Sequence, residues 1–274
     1  MKPQYVSYKD AQIPALGFGT YRLNGDECVD AVRDAIQLGY RHIDTAEMYG
    51  NEAETGEAIR KSGVSRHELF VTTKLWPDSL TPASIRETVS GSLNYLKTDY
   101  IDLLLIHWPN SRIPLEDTLG TMDKLRQEGK IRFLGVSNFN IAWMEKVEKI
   151  GVPVITNQVE YHVLLNQEKL LSWLRDKGMF LTAYSPLAKG RLASHPGLQE
   201  IGRKHGKNAT QIALRWLIQQ DQVATVPKAS TPEKRRQNFA IFDFELDQED
   251  LETIARLDKD QRFVDLPGIS PDWD

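Results

Sequence analysis

Eight short apolar runs recur along this chain of 274 residues and are separated by longer stretches with helical period. The runs are Leu16–Gly19, His42–Asp44, Leu69–Thr73, Ile101–Ile106, Ile131–Val136, Val154–Asn157, Met179–Ala183 and Val223–Val226. Several are apolar throughout, as Leu103, Leu104, Leu105 and Ile106 show, which suits strands covered on both faces. Between them, Cys28, Val29, Val32, Ala35 and Ile36 share a helix face that stops at Gly39. Thr81 caps a helix with Pro82 at its first position and Ile85, Val89, Leu93 and Leu96 on one side. Asn51 and Glu54 read as a variant capping box. Further helices are predicted over Leu115–Glu128, Ile141–Ile150, Gln167–Lys177 closed by Gly178, Ala209–Gln220, and Leu251–Leu257 after Asp247.

Successive runs lie roughly 20–30 residues apart, the size of a βα unit with short loops. The step from Met179 to Val223 is longer and leaves an extra segment, Ser185–His205. The α/β pattern therefore predicts one (β/α)8 TIM barrel over 1–274, preceded by a β-hairpin around Tyr5 to Ile13. An open doubly wound sheet fits less well. Leu16-Gly-Phe-Gly-Thr holds two glycines of a dinucleotide fingerprint and lacks the third.

Charge narrows the function. A net charge of -4 gives no basic field for nucleic acid or anionic lipid. No apolar run approaches a membrane span, and the amino terminus has no signal-peptide core, so a cytoplasmic location is expected. The single cysteine, Cys28, rules out an intramolecular disulfide and a cysteine-based metal site; it reads as a small core residue, and no metal is expected.

In a barrel of this kind the active site forms at the carboxyl ends of the strands. The residues ending the eight runs are unusually polar: Gly19, Thr20 and Tyr21; Asp44; Lys74; His107; Ser137 and Asn138; Gln158; Tyr184 and Ser185; and Lys228. Tyr49 stands five residues past Asp44, in the segment YRHIDTAEMYGNE. Each residue alone has an ordinary structural role: Asp44 as a turn cap, Tyr49 as a half-buried ring, Lys74 and His107 as a paired or satisfied group. Adjacent strand ends force them together, and that convergence is what points to catalysis.

These residues carry a resemblance. GFGTYR, GYRHIDTAEMYGNE, TKLW, DYIDLLLIHWP, LGVSNFN, NQVEYH, AYSPLAKG and VPKASTPEKRRQN occur in the order and spacing of the aldo-keto reductases, over nearly the whole chain. With its compact loops and the ending SPDWD, the chain resembles the short bacterial members, such as the 2,5-diketo-gluconate and methylglyoxal reductases. The resemblance implies a monomeric, NADPH-dependent reductase of small aldehydes, dicarbonyls or keto sugars. Its catalytic residues fall on Asp44, Tyr49, Lys74 and His107. Tyr49 is the expected acid, with Lys74 lowering its pKa and Asp44 holding Lys74 charged; His107 either hydrogen-bonds the substrate carbonyl or assists proton transfer.

The resemblance also implies cofactor contacts. Gly19, Thr20, Tyr21 and Asp44 belong to this set, Ser137, Asn138 and Gln158 take the nicotinamide carboxamide, and Tyr184 stacks on the ring. Ser185–Gly190, with Leu187 and Gly190, lies along the pyrophosphate. Lys228, Ser230, Thr231, Lys234 and Asn238 surround the 2′-phosphate. Two departures occur there: Ala229 where the family commonly has serine, and Lys234 where it commonly has arginine. Lysine keeps the charge but loses the bidentate fork, so NADPH remains the expected cofactor with weaker phosphate recognition. Tyr21, Trp76, His107 and Trp108 are expected to wall the substrate pocket, and the tail Gln261–Asp274, with Trp273, to complete it. Two other functions stay open at this level: a Schiff-base aldolase using Lys74, and a subunit that binds NADPH and signals with little turnover.

Overall fold

The computed structural model describes residues 4–274. Eight parallel strands form one curved sheet in sequence order: β3 (Phe18–Gly19), β4 (His42–Asp44), β5 (Phe70–Leu75), β6 (Ile101–Ile106), β7 (Ile131–Ser137), β8 (Val154–Glu160), β9 (Phe180–Tyr184) and β10 (Val223–Thr225). Its two edges meet. Leu16 pairs with Thr225 in parallel, and the Gly17 and Gly19 amides donate to Thr225 O and Pro227 O at 2.8 and 3.1 Å, so the sheet closes into the expected barrel. Closure also explains the two glycines: a Cβ on Gly19 would stand 2.7 Å from Val226 O, and one on Gly17 2.9 Å from the His42 ring. They admit a neighbouring strand, not a pyrophosphate.

Strands β5, β6 and β8 are buried at every position, as their apolar runs require. Three strands are longer than their runs because polar residues continue the ladder: Lys74 lies inside β5, Ser137 ends β7, and Gln158 and Glu160 lie in β8. Hydrophobic patterning locates a strand by its apolar core and misses the polar residues at its working end.

The hairpin, β1 (Tyr5–Tyr8) with β2 (Ala11–Pro14), is present. It covers the amino ends of the strands: Ser7 exchanges two hydrogen bonds with the Gln222 side chain just before β10, and the His42 ring contacts Pro14 O. The opposite end is therefore the open one.

Helices α1 (Gly25–Leu38), α2 (Glu52–Lys61), α3 (Pro82–Leu96), α4 (Leu115–Gln127), α5 (Ile141–Ile150) and α6 (Glu168–Asp176) follow successive strands. Gly39 ends α1 in the left-handed conformation, and Thr81 Oγ1 caps α3 by accepting from Ser84 N. The Ser185–His205 insertion becomes a 3-10 segment, Ala188–Ser194, and an additional helix, α7 (Pro196–His205), before α8 (Ala209–Gln219). After β10 come α9 (Pro232–Phe239) and α10 (Gln248–Ala255). The last of these starts earlier than its apolar pattern, because Asp247 and Asp250 form a reciprocal capping box ahead of Leu251. Cys28 is buried beside Thr55, and burial pushes its thiol up to about 11, in keeping with a core role. Among the described residues no helix is long and apolar enough to cross a membrane.

The capping box expected at Asn51 does not form; Asn51 makes no side-chain cap. Its fully buried amide instead donates to Thr20 O and Leu23 O at 2.9 and 2.8 Å and accepts from Thr45 Oγ1 at 2.8 Å. One side chain thus ties the loop after β3 to the loop after β4. Asn51→Ala leaves Leu23 O without that donor and the Thr45 hydroxyl without its acceptor, while Thr20 O keeps only the Leu23 amide, so the variant is expected to lose about 3 kcal/mol and unfold roughly 6–12 °C lower. Calorimetry of the two proteins measures it; a shift under about 2 °C contradicts the staple.

Candidate active site

Asp44 ends β4 and Lys74 lies on the neighbouring β5, where the parallel register brings Asp44 beside Thr72. Lys74 is 1% exposed, and its ammonium donates to Asp44 Oδ1 at 2.6 Å and to Thr45 O at 2.7 Å. Burial depresses the lysine pKa, and the Asp44 carboxylate counters it. The other oxygen of Asp44 accepts from Gln158 Nε2 at 2.7 Å. Thr45 was not foreseen, since a backbone acceptor leaves no mark in residue type.

Gln158 continues this chain. Its carbonyl accepts from Ser137 Oγ at 2.7 Å; Asn138 Nδ2 donates to Ser137 Oγ at 3.0 Å and to His107 O at 2.9 Å; and Tyr184 donates its hydroxyl to Asn138 Oδ1 at 2.7 Å. Six side chains from five strand ends are thereby fixed by contacts with one another or with the intervening backbone. Asn138 and Ser185 hold φ of 63° and 47°, a left-handed backbone uncommon outside glycine. Such positions concentrate where a site is over-determined.

Tyr49 closes a 3-10 turn, Glu47–Tyr49, after β4. The Lys74 ammonium stands 5.1 Å from the centre of its ring, and the His107 and Tyr21 rings 5.8 and 5.0 Å from it. The Tyr49 hydroxyl has no hydrogen-bond partner among the described residues. Burial and the Asp44 carboxylate raise the phenol well above its usual range, opposite to the lowering expected from Lys74 alone. The cation is already committed to Asp44 and Thr45, so burial dominates.

His107 follows β6, and burial with the nearby Lys74 charge holds its pKa well below the usual range, so the ring is neutral. Its Nδ1 is buried without a partner among the described residues. Trp76 meets the His107 ring edge-on at 5.3 Å. Glu47, which residue pattern did not single out, ties these parts together: its carboxylate accepts from Trp76 N at 3.1 Å and Ser79 Oγ at 2.9 Å.

Trp108 is 3% exposed and packs against Trp273 of the tail, 6.2 Å between rings. Thr20 is fully buried with its hydroxyl toward Asn51, whereas Tyr21 is exposed at the rim. Leu187, Ala188, Lys189 and Gly190 form a loop past Ser185, in which the last three have positive φ. Lys228, Ser230, Thr231 and Lys234 lie around the start of α9, where Thr231 is the N-cap and Lys228 and Lys234 are exposed, whereas Asn238 is buried in its last turn. Arg235 turns inward instead, bonded to Asp34 and to the carbonyls of Ala229 and Ser230. Among the described residues no group of three or more His, Cys, Asp or Glu is placed to hold a metal ion.

A model of the aldo/keto reductase family matches residues 15–259. The chain is 38% identical over 266 residues to methylglyoxal reductase DkgB of Escherichia coli O157:H7, covering 96% of this chain and 99% of that protein. It is 40% identical over 274 residues to glyoxal reductase of Bacillus subtilis strain 168, covering 99% and 97%. Among solved structures, a provisionally named 2,5-diketo-D-gluconic acid reductase B superposes with a TM-score of 0.96 at 45% identity, covering 100% of this chain and 98% of that one.

Proposed function

This chain belongs to the aldo/keto reductase family, and from that membership we propose that it reduces small aldehydes, dicarbonyls or keto sugars to alcohols with NADPH. The observation that carries the reading is the Asp44–Lys74 pair, locked at 2.6 Å, with its ammonium 5.1 Å from the ring centre of a tyrosine whose hydroxyl has no partner among the described residues. The nicotinamide, when bound, supplies the hydride that no side chain offers.

The residues present suit such a cofactor. An exposed pair of lysines at a helix start capped by Thr231 suits a phosphate, through both charge and unpaired backbone N–H groups. The left-handed Asn138 and Ser185 hold the polar floor that would take a carboxamide. Tyr49 donates the proton to the carbonyl oxygen as negative charge develops there. Its raised pKa keeps it protonated through neutral pH, and the Lys74 cation, 5.1 Å from the ring centre, stabilises the phenolate left behind. A neutral His107 serves better as a hydrogen-bond donor that orients the carbonyl than as an acid.

A panel of aldehydes, dicarbonyls and keto acids with NADPH and NADH tests the assignment; no oxidation of either cofactor overturns it. The aldolase reading needs a free neutral amine, whereas Lys74 is held by two oxygens. Borohydride trapping of a Lys74 adduct is the outcome that would restore it. A signalling role predicts tight NADPH binding without turnover in the same panel.

Preference for NADPH is set at Lys234. Lys234→Arg restores a fork for the 2′-phosphate and is expected to lower KM for NADPH about threefold to tenfold with NADH little changed. Equal shifts for both cofactors would place Lys234 away from the phosphate.

A further inference from the structure

The tail carries a guanidinium that no element of the proposed mechanism uses. Leaving α10, the chain crosses the open end of the barrel and is pinned on both sides of Arg262. Gln261 N donates to Leu164 O at 2.9 Å. Phe263 N and Val264 N donate to the carboxylate of Glu160, at 3.0 and 2.8 Å to its nearer oxygens. Glu160 is fully buried at the end of β8, two residues past Gln158, and also receives His162 Nε2 at 3.1 Å. Lys189, from the loop after β9, donates to Phe263 O at 2.6 Å. Arg262 is thus held over the carboxyl ends of β8 and β9 by hydrogen bonds to the residues on both sides of it.

Its side chain is held as well. The guanidinium stacks on Trp273 at 3.7 Å, and Trp273 packs edge-on against Trp108, the neighbour of His107. Stacking uses the face of the guanidinium and leaves its in-plane N–H donors to find acceptors. Among the described residues they find none. Arg262 makes no salt bridge among the described residues, and its Nη1 is buried without a partner. Glu160 does not answer it, because its oxygens are taken by three other donors. A buried donor left unpaired in a preorganised arginine is the arrangement expected of a site completed by an acceptor from outside the chain.

We infer that Arg262 is an anion-binding residue of the substrate pocket, where it takes the carboxylate of a carbonyl substrate that bears one. The inference rests on the carbonyl-reductase reading above and extends it to a substrate class. A carboxylate matches the planar fork with two parallel hydrogen bonds, and Trp273 beneath the guanidinium fixes the plane in which they form. The walls nearer the chemistry, Tyr21, Trp76 and the Tyr49 ring, are aromatic and select no charge. Arg262 is the group that would distinguish an anionic carbonyl from a neutral one.

Benzaldehyde and its 3-carboxy and 4-carboxy derivatives form matched probes, to be assayed with NADPH on the wild type, Arg262→Met and Arg262→Lys. Methionine keeps a stem over Trp273, and lysine keeps the charge without the fork. The expected result is a fall of about tenfold in the ratio of kcat/KM for the better carboxylated probe to that for benzaldehyde in Arg262→Met, expressed in KM. Arg262→Lys is expected to recover part of it. An unchanged ratio overturns the proposal and leaves Arg262 as packing for Trp273. A parallel loss for all three aldehydes with weaker NADPH binding by fluorescence quenching also overturns it, and assigns the anion to a cofactor phosphate. Reduction of no aldehyde by the wild type would sink the reductase reading itself, and this extension with it.

Discussion

Tyr49→Phe is expected to lower turnover of a reactive aldehyde about a thousandfold while leaving NADPH affinity within twofold and the unfolding temperature unchanged. The size follows from the role: a positioned general acid contributes 10²–10⁴-fold. The selectivity follows from the structure. The Tyr49 hydroxyl has no protein partner among the described residues, so its removal breaks no internal hydrogen bond, and the ring keeps its packing against Tyr21 and His107. Steady-state kinetics, fluorescence titration with NADPH and thermal unfolding of the one variant decide it together. Turnover within tenfold of wild type would remove Tyr49 from its assigned role; a large loss accompanied by weak cofactor binding or a lower unfolding temperature would make the effect structural.

Much of this site can be read from residue order because a barrel converts sequence into place. Once the apolar runs are recognised as eight parallel strands, Asp44, Lys74, His107, Ser137 and Gln158 have to meet, whatever lies between them. What escapes is of three physical kinds. Backbone partners carry no residue signature, so the Thr45 carbonyl under Lys74 was invisible. Side chains with two competing uses are assigned by tertiary context: Asn51 has the composition of a cap and spends its amide on distant loops instead. Long-range polar ties such as Glu47 to Trp76, or Glu160 to the amides of the tail, join segments up to about a hundred residues apart, where no local period reports them. Electrostatic sign is equally hidden. The charge of Lys74 argues for a lowered Tyr49 pKa, yet burial and Asp44 reverse it, and neither burial nor the prior commitment of the ammonium is written in residue type.

The coupling between Asp44 and Lys74 gives the second large effect, and its pH dependence separates charge from geometry. Asp44→Asn keeps the shape and one acceptor for Lys74 but removes the charge that opposes desolvation, so the lysine pKa, already depressed, falls further. It also sets an amide against Gln158 Nε2, which must turn or lose its partner. Turnover is expected to drop about a hundredfold at pH 8, as neutral Lys74 stops stabilising the phenolate, and to recover on acidification as the ammonium returns; the wild-type rate should be nearly flat over the same range. Stability runs the other way. Between the unfolded lysine pKa, about 10.4, and the lower folded value, the unfolded chain binds the extra proton, so the variant loses stability as pH falls through that window and has nothing further to lose from this group below it. Leaving a buried ammonium without its counter-charge costs about 3–5 kcal/mol at the acid end. Activity that rises while the unfolding temperature falls, over one pH interval, is the signature of a lysine that must be charged to work and is held charged by Asp44. Parallel changes in both, or a rate loss independent of pH, would instead assign to Asp44 the placement of Lys74 and Gln158 alone.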